Sequence, residues 1–190
     1  MGLARHTRAA AGAAALVLTV AGAAAAQQAP APDRYGVALL AGQSYAPTGQ
    51  VAFALLSGFA LLDYGKVWHH PAPASLKFKV EGSAGLASVP EARPVVSAGV
   101  LALRYLDRLS GPRLTPYVEA GIGAIYTDFR IEGQGLRFNF NPQLGAGAEV
   151  RLGPQASGFF AMRGHHVSNG HLNHDNRGIN SVVLMVGVFL

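Results

Sequence analysis

Residues 137–152 read RFNFNPQLGAGAEVRL, and apolar residues occupy every second position over most of this stretch. The apolar set is Phe138, Phe140, Leu144, Ala146, Ala148, Val150 and Leu152. Successive side chains of a β-strand point to opposite faces, so this period of two predicts a strand with one apolar face. The other face is polar but contains Gly145 and Gly147. Small residues of this kind suit a crowded polar interior.

The same alternation recurs along the chain. Residues 76–86 and 118–126 repeat it clearly, and turn-rich stretches such as APTGQ, SGPR and GPQASG separate the apolar-polar segments. We predict eight strands, at residues 35–44, 51–63, 76–87, 95–106, 115–128, 137–152, 157–168 and 180–190. The first, second and fourth alternate less cleanly, which leaves their facing open.

The composition is unusual for a soluble enzyme. Charged residues make up 13% of the chain, against about 25% in average soluble proteins. Apolar residues reach 50%, and 24 of the 190 residues are glycine. Cysteine is absent, which excludes disulfides and thiolate metal sites. Low charge with alternating strands favours a chain that presents one face of its strands to lipid.

The N-terminus has the pattern of a secretory signal peptide. Arg5 and Arg8 precede an apolar stretch, and Ala24-Ala25-Ala26 offers a cleavage site. We therefore expect residues 1–26 to be removed and residues 27–34 to form a flexible segment. Loss of the two arginines lowers the formal net charge from +5 to +3. The basic charge is thus partly that of the signal, and we predict no nucleic-acid partner.

These features predict an all-β fold, an eight-stranded antiparallel transmembrane β-barrel over residues 35–190. A chain without a spanning helix crosses a membrane only as a closed barrel. The expected lumen charges have both signs and are expected to pair: Lys77, Lys79, Arg137, Arg151 and Arg163 with Glu81, Glu119 and Glu149. The alternative is a soluble sandwich or lipocalin-like barrel, whose polar faces would point outward.

Residues 165–176 (HHVSNGHLNHDN) end the seventh predicted strand. The parity of Arg163 assigns odd residues there to the lumen, so His166 and Ser168 face lipid. In the last strand Asn180 shares the apolar parity and also faces lipid. All three then meet at the external rim of the barrel. A serine beside a histidine that a third group orients is the arrangement of an activated nucleophile, and polar groups facing lipid are costly to keep.

The run His166-Val167-Ser168-Asn169, followed by Gly178-Ile179-Asn180, resembles the motif of the outer-membrane lipid A 3-O-deacylase (PagL) family. Residues 116–128 and 138–150 also resemble it. The resemblance implies an esterase that removes the 3-hydroxyacyl chain at position 3 of lipid A in the outer membrane of a Gram-negative bacterium. It implies His166 as general base and Ser168 as nucleophile. Asn169 and the backbone N–H of Gly170 would stabilise the oxyanion.

One departure concerns the third member of the triad. Asn180 stands where well-known members of the family have glutamate. An amide oxygen can orient the imidazole but cannot offset its positive charge. The carboxylate of Asp175, in the adjoining loop, is therefore a candidate to supply the negative charge that Asn180 lacks.

Three other interpretations remain open. His165, His166, His171, His174 and Asp175 could bind zinc or copper, although the two adjacent histidines should point to opposite faces. The chain could be a structural or adhesive barrel without catalysis, or a soluble lipid-binding barrel. We expect no metal and no cofactor, with lipopolysaccharide and the outer membrane as partners. The sequence does not predict an oligomeric state.

Overall fold

The computed structural model describes residues 33–190, so the predicted signal peptide lies outside the described residues. The fold is a closed antiparallel barrel that consists almost entirely of sheet. Its strands are β1 (Arg34–Ala46), β2 (Ala52–Asp63), β3 (Leu76–Val89), β4 (Glu91–Tyr105), β5 (Leu114–Thr127), β6 (Phe138–Phe140), β7 (Gln143–Arg151), β8 (Ser157–Val167) and β9 (Ile179–Phe189). A short helix α1 (Tyr64–Trp68), which the sequence analysis does not predict, follows β2. No helix within the described range is long and apolar enough to span a membrane.

The segments β6 and β7 form one interrupted strand, so the barrel has eight strands as predicted. Both segments pair with β5 in a single register, with Phe140 opposite Ala124 and Gln143 opposite Gly121. The interruption falls at Asn141 and Pro142. Proline has no N–H to donate to the ladder, which accounts for a break at this position.

The barrel closes where β1 pairs with β9 and β4 pairs with β5. Both ends of the described chain therefore lie at one end of the barrel, where the Leu190 N–H donates to the Tyr35 carbonyl. Arg34, predicted to end a flexible segment, instead begins β1. Its guanidinium bonds both carboxylate oxygens of Glu149, at 2.7 and 2.9 Å. This bidentate ion pair ties the first strand to β7.

The predicted facing of the clearly alternating strands is confirmed. On β8, Phe159 and Arg163 are buried, whereas Phe160 and Met162 are more than half exposed on the outer face. The same alternation holds in β3, β5 and β9. Their outward residues include Val80, Leu86, Val118, Ile122, Tyr126, Val182, Leu184 and Val186. The barrel thus has an apolar outer surface, and its interior combines charged side chains with buried apolar ones such as Phe59 and Phe159.

Ion pairs fill the middle of the interior. Arg163 donates to both oxygens of Glu81, at 2.7 and 2.9 Å, and its Nε donates to Glu119 at 2.6 Å. Lys79 Nζ also contacts Glu81 at 2.9 Å and Glu119 at 3.6 Å. Two cations and two anions therefore neutralise one another in a space where unpaired charge is prohibitively costly.

Two of the predicted lumen charges are placed differently. Arg137 is half exposed and pairs with Asp128 at 2.9 Å, outside the lumen. Arg151 ends β7 and is exposed. Both residues have lumen parity, but they lie at strand ends, where the side chains reach solvent beyond the barrel wall.

Candidate active site

The barrel register brings His166 and Asn180 together. They are direct cross-strand partners on β8 and β9, and both are half-buried. The Nδ1–H of His166 donates to Asn180 Oδ1 at 2.6 Å. This short bond fixes the plane of the imidazole and places a proton on Nδ1, so that in the neutral ring Nε2 is the acceptor. The predicted contact is therefore formed, on the apolar outer face of the barrel.

The neighbouring histidine points the other way. His165 lies in the lumen, where its Nε2 accepts a hydrogen bond of 2.6 Å from Asn141 Nδ2. Its ring packs edge-on against Phe53, with the centroids 6.3 Å apart. No group of three metal-ligating side chains is assembled anywhere in residues 33–190. The histidine-rich tract is thus divided between two faces and a loop.

Gly178 makes room for the His166 ring. A Cβ built on Gly178 would lie 2.5 Å from His166 Cε1 and 3.0 Å from Nε2. Gly178 precedes Ile179, the cross-strand partner of Val167. The Nε2 edge of the ring therefore tilts from Asn180 toward the end of the strand, where Ser168 lies. Gly178 stands in the motif, but the sequence alone does not assign it a role in the site.

Ser168 is held in place by backbone bonds to the adjacent strand segment. Its N–H donates to the Phe140 carbonyl at 3.0 Å, and its carbonyl accepts from the Phe140 N–H at 2.7 Å. These bonds continue the barrel ladder one residue past β8 and keep Ser168 on the same face as His166. Within the described chain the Ser168 hydroxyl makes no hydrogen bond to His166. Such contacts often tighten only when substrate is bound.

The two predicted oxyanion donors lie in different environments within the loop after Ser168. Asn169 is fully buried, its N–H donates to Asn176 Oδ1, and its Nδ2 donates to the Asp175 carbonyl, both at 2.8 Å. In this structure the Asn169 side chain therefore contributes to the loop, and its part in stabilising the oxyanion stays a prediction. Gly170 is exposed, with φ +61°. No carbonyl in residues 33–190 takes its N–H, which remains free to donate.

The carboxylate of Asp175 makes no ion pair with His166 within the described residues. It is two-thirds exposed, and its one ionic contact within the described residues is a 3.5 Å approach to His174. The Asp175 carbonyl, by contrast, accepts from the Gly135 N–H at 2.7 Å, and the Arg177 N–H donates to the Gly133 carbonyl at 2.8 Å. The loop between β5 and β6 thus braces the loop that carries Gly170. These backbone contacts leave no signal in the sequence.

Comparison with known proteins agrees with the fold and with the motif. A model of the lipid A 3-O-deacylase (PagL) family matches residues 58–189. The crystal structure of Neisserial surface protein A superposes with a TM-score of 0.62 at 14% identity, covering 83% of this chain and 96% of that one. The crystal structure of the outer membrane enzyme PagL superposes with a TM-score of 0.54 at 23% identity, covering 80% of this chain and 97% of that one. No curated protein matches the chain.

The family match extends over more than half of the chain and includes the site on β8 and β9. The architecture agrees, because both similar structures share this barrel fold. The resemblance seen in the sequence is thereby confirmed: the chain belongs to the PagL family of lipid A 3-O-deacylases and is an enzyme of the Gram-negative outer membrane.

Proposed function

We propose that this deacylase hydrolyses the ester-linked 3-hydroxyacyl chain at position 3 of lipid A, with Ser168 as nucleophile, His166 as general base and Asn180 as the orienting group. The observation that carries the proposal is the 2.6 Å hydrogen bond from His166 Nδ1 to Asn180 Oδ1 on the outer face. A hydrogen-bonded polar pair on a surface that meets lipid has no packing role there. It does match the hydrogen bond between the general base and its orienting group in a serine hydrolase.

The reaction follows from the tautomer that Asn180 selects. His166 Nε2 takes the proton of the Ser168 hydroxyl as Oγ attacks the ester carbonyl. The resulting oxyanion accepts the hydrogen bond that the Gly170 N–H offers, and the buried Asn169 keeps the loop in place. As the intermediate collapses, the C–O bond to the sugar breaks and His166 returns the proton to the leaving sugar oxygen. Water then hydrolyses the acyl-serine by the same steps, releasing the 3-hydroxy fatty acid.

Asn180 adds no charge to the site, because its side chain is an amide. A carboxylate in this position would stabilise the imidazolium that forms during the reaction, whereas an amide oxygen supplies orientation alone. Since the Asp175 carboxylate lies against His174 rather than His166, it does not replace the missing charge. The proposed mechanism is therefore that of a Ser-His-Asn enzyme.

Mass spectrometry of lipid A after incubation with the refolded chain tests the proposal. We expect the wild type to remove one 3-hydroxyacyl unit and Ser168→Ala to remove none. Ser181→Ala is the matched control, since Ser181 is a buried lumen residue beside Asn180 and its hydroxyl has no partner in the described structure. An unchanged lipid A with well-folded wild type, or full activity in Ser168→Ala, would contradict the proposal. The former result would favour a barrel without catalysis.

A further inference from the structure

Gly164 leaves a gap in the outer surface directly below the proposed site. It lies on β8 two residues before His166, on the same face, and is exposed. Its cross-strand partners are Leu144 on β7 and Val182 on β9. Both have outward side chains, 63% and 40% exposed. The two side chains therefore form the walls of a short depression whose floor is Gly164.

Packing does not require glycine at this position. A Cβ on Gly164 would have Leu144 O as its nearest atom, at 3.7 Å, which is ordinary contact. By contrast, a Cβ on Gly121 or Gly147 would lie 2.1 or 2.4 Å from a backbone oxygen of the adjacent strand. Glycine weakens a strand interior. Gly58 and Gly82 are equally unhindered, but Gly164 lies on the strand that carries His166, so what approaches it beside the proposed site can explain it.

The depression lies where the acyl chain of a bound lipid would run. Ser168 is four residues further along the strand direction, about 13 Å away. The acyl chains of lipid A extend from the membrane surface into the bilayer, and the outer face of β8 extends the same way from Ser168. Below Gly164 the surface continues with the exposed side chains of Met162 and Leu184. A long chain esterified at Ser168 would therefore cross Gly164, and a short one would end before it.

We propose that Gly164 is a specificity-determining residue, whose missing side chain admits the distal part of a long acyl chain between Leu144 and Val182. This inference rests on the proposed function, because it takes Ser168 as the point of attachment. It adds a preference for long acyl chains. The arrangement of His166, Ser168 and Asn180 does not by itself predict such a preference.

The test compares Gly164→Leu with the wild type on the p-nitrophenyl esters of butyrate and myristate, in the same detergent micelles. A leucine fills the depression, and we expect kcat/KM for the myristate ester to fall about tenfold or more, since a filled hydrophobic pocket discriminates by roughly 10–200-fold. The butyrate ester should be hydrolysed at the wild-type rate. Gly58→Leu is the matched control: Gly58 lies on β2, and a Cβ there meets nothing within 4 Å.

Each outcome has a distinct meaning. Equal rates of wild type and Gly164→Leu on myristate, equal losses on both esters, or the same loss in Gly58→Leu would overturn the role of Gly164. If Gly164→Leu does not fold, Gly164→Ala takes its place, because its Cβ has room; an unchanged chain-length profile in that variant also overturns the role. A wild type without Ser168-dependent hydrolysis of either ester or of lipid A would overturn the proposed function itself.

Discussion

Polar side chains on the two faces of β8 have different partners. On the inner face Arg163 is 1% exposed and is bound by two carboxylates, Glu81 and Glu119. On the outer face, three residues away, His166 is half-buried and has a neutral partner, Asn180. The lumen thus contains charges that pair with one another, whereas the outer site contains a histidine whose partner is an uncharged amide.

Because of this difference, we expect the inner face of β8 to contribute to stability and its outer face to contribute to catalysis. Removal of one member of a buried charge network leaves the other charges uncompensated, so the lumen cluster should control folding. A neutral pair at the rim can lose a member without leaving a buried charge. Its loss should affect the reaction and leave the fold intact. The following variants test this separation.

The largest expected effect is that of His166→Ala on activity. Without the general base we expect kcat to fall by about 10⁴-fold or more, with an unchanged midpoint of urea unfolding. His165→Ala is the matched control, because His165 faces the lumen, and it should retain most of the activity. Comparable activity losses in the two variants would show that the two faces are not functionally distinct.

Arg163→Met should give the largest loss of stability. It leaves Glu81 and Glu119 with Lys79 alone, and we expect the free energy of unfolding to fall by about 3–5 kcal/mol. The folded fraction should still hydrolyse lipid A within a few-fold of the wild-type rate. Arg93→Met removes an exposed ion pair to Glu91 and should cost at most about 1 kcal/mol. Denaturant titration of the refolded barrels decides between these values.

Variants of Asn180 test the outer face further, because Asn180 should only orient the His166 imidazole. In Asn180→Ala the imidazole loses its partner, and we expect kcat to fall by about 10²-fold, the loss typical of a catalytic group displaced by 1 Å. Asn180→Asp keeps an acceptor and adds a charge, so its kcat should equal or exceed that of the wild type. A wild-type rate in Asn180→Ala would remove Asn180 from the mechanism.

The smallest expected effect is that of Gly178→Ala. The added Cβ would lie 2.5 Å from His166 Cε1, so the ring must shift by a fraction of an ångström. We expect about a tenfold loss in kcat, below the ~10²-fold of a full 1 Å displacement, with little change in KM. Gly82→Ala, where the nearest atom is 4.0 Å from the new Cβ, should have no effect. Equal rates in the two variants would show that Gly178 does not position the ring.

The strands and their facing could be predicted because alternation is a local property of the sequence. The parity of Arg163 places His166 on the outer face, and the apolar parity of the last strand places Asn180 there. The register of the two strands then brings them into contact. Arg137 and Arg151 show the limit of this reasoning. Parity predicts the direction of a side chain, but whether that side chain ends in the lumen depends on where the strand ends.

Other features depend on contacts between distant segments. The ion pair of Arg34 joins residues 115 positions apart, so its sequence neighbourhood resembles a linker. The role of Asn169 in its loop depends on hydrogen bonds to Asn176 and to the Asp175 carbonyl. Gly178 is important only because of the His166 ring, which another strand presents. A motif alone carries none of this information.

The ion-pair cluster in the lumen also has an electrical consequence. Below it, Phe59, Phe159 and Phe189 pack with ring centroids 5.4 to 5.7 Å apart, and Lys79 lies over the Phe59 ring. Side chains therefore occupy the barrel axis over successive layers, as expected for eight strands. A planar bilayer that contains this protein should show no single-channel current. The outer membrane can hold many copies of the enzyme without losing its barrier to ions and small solutes.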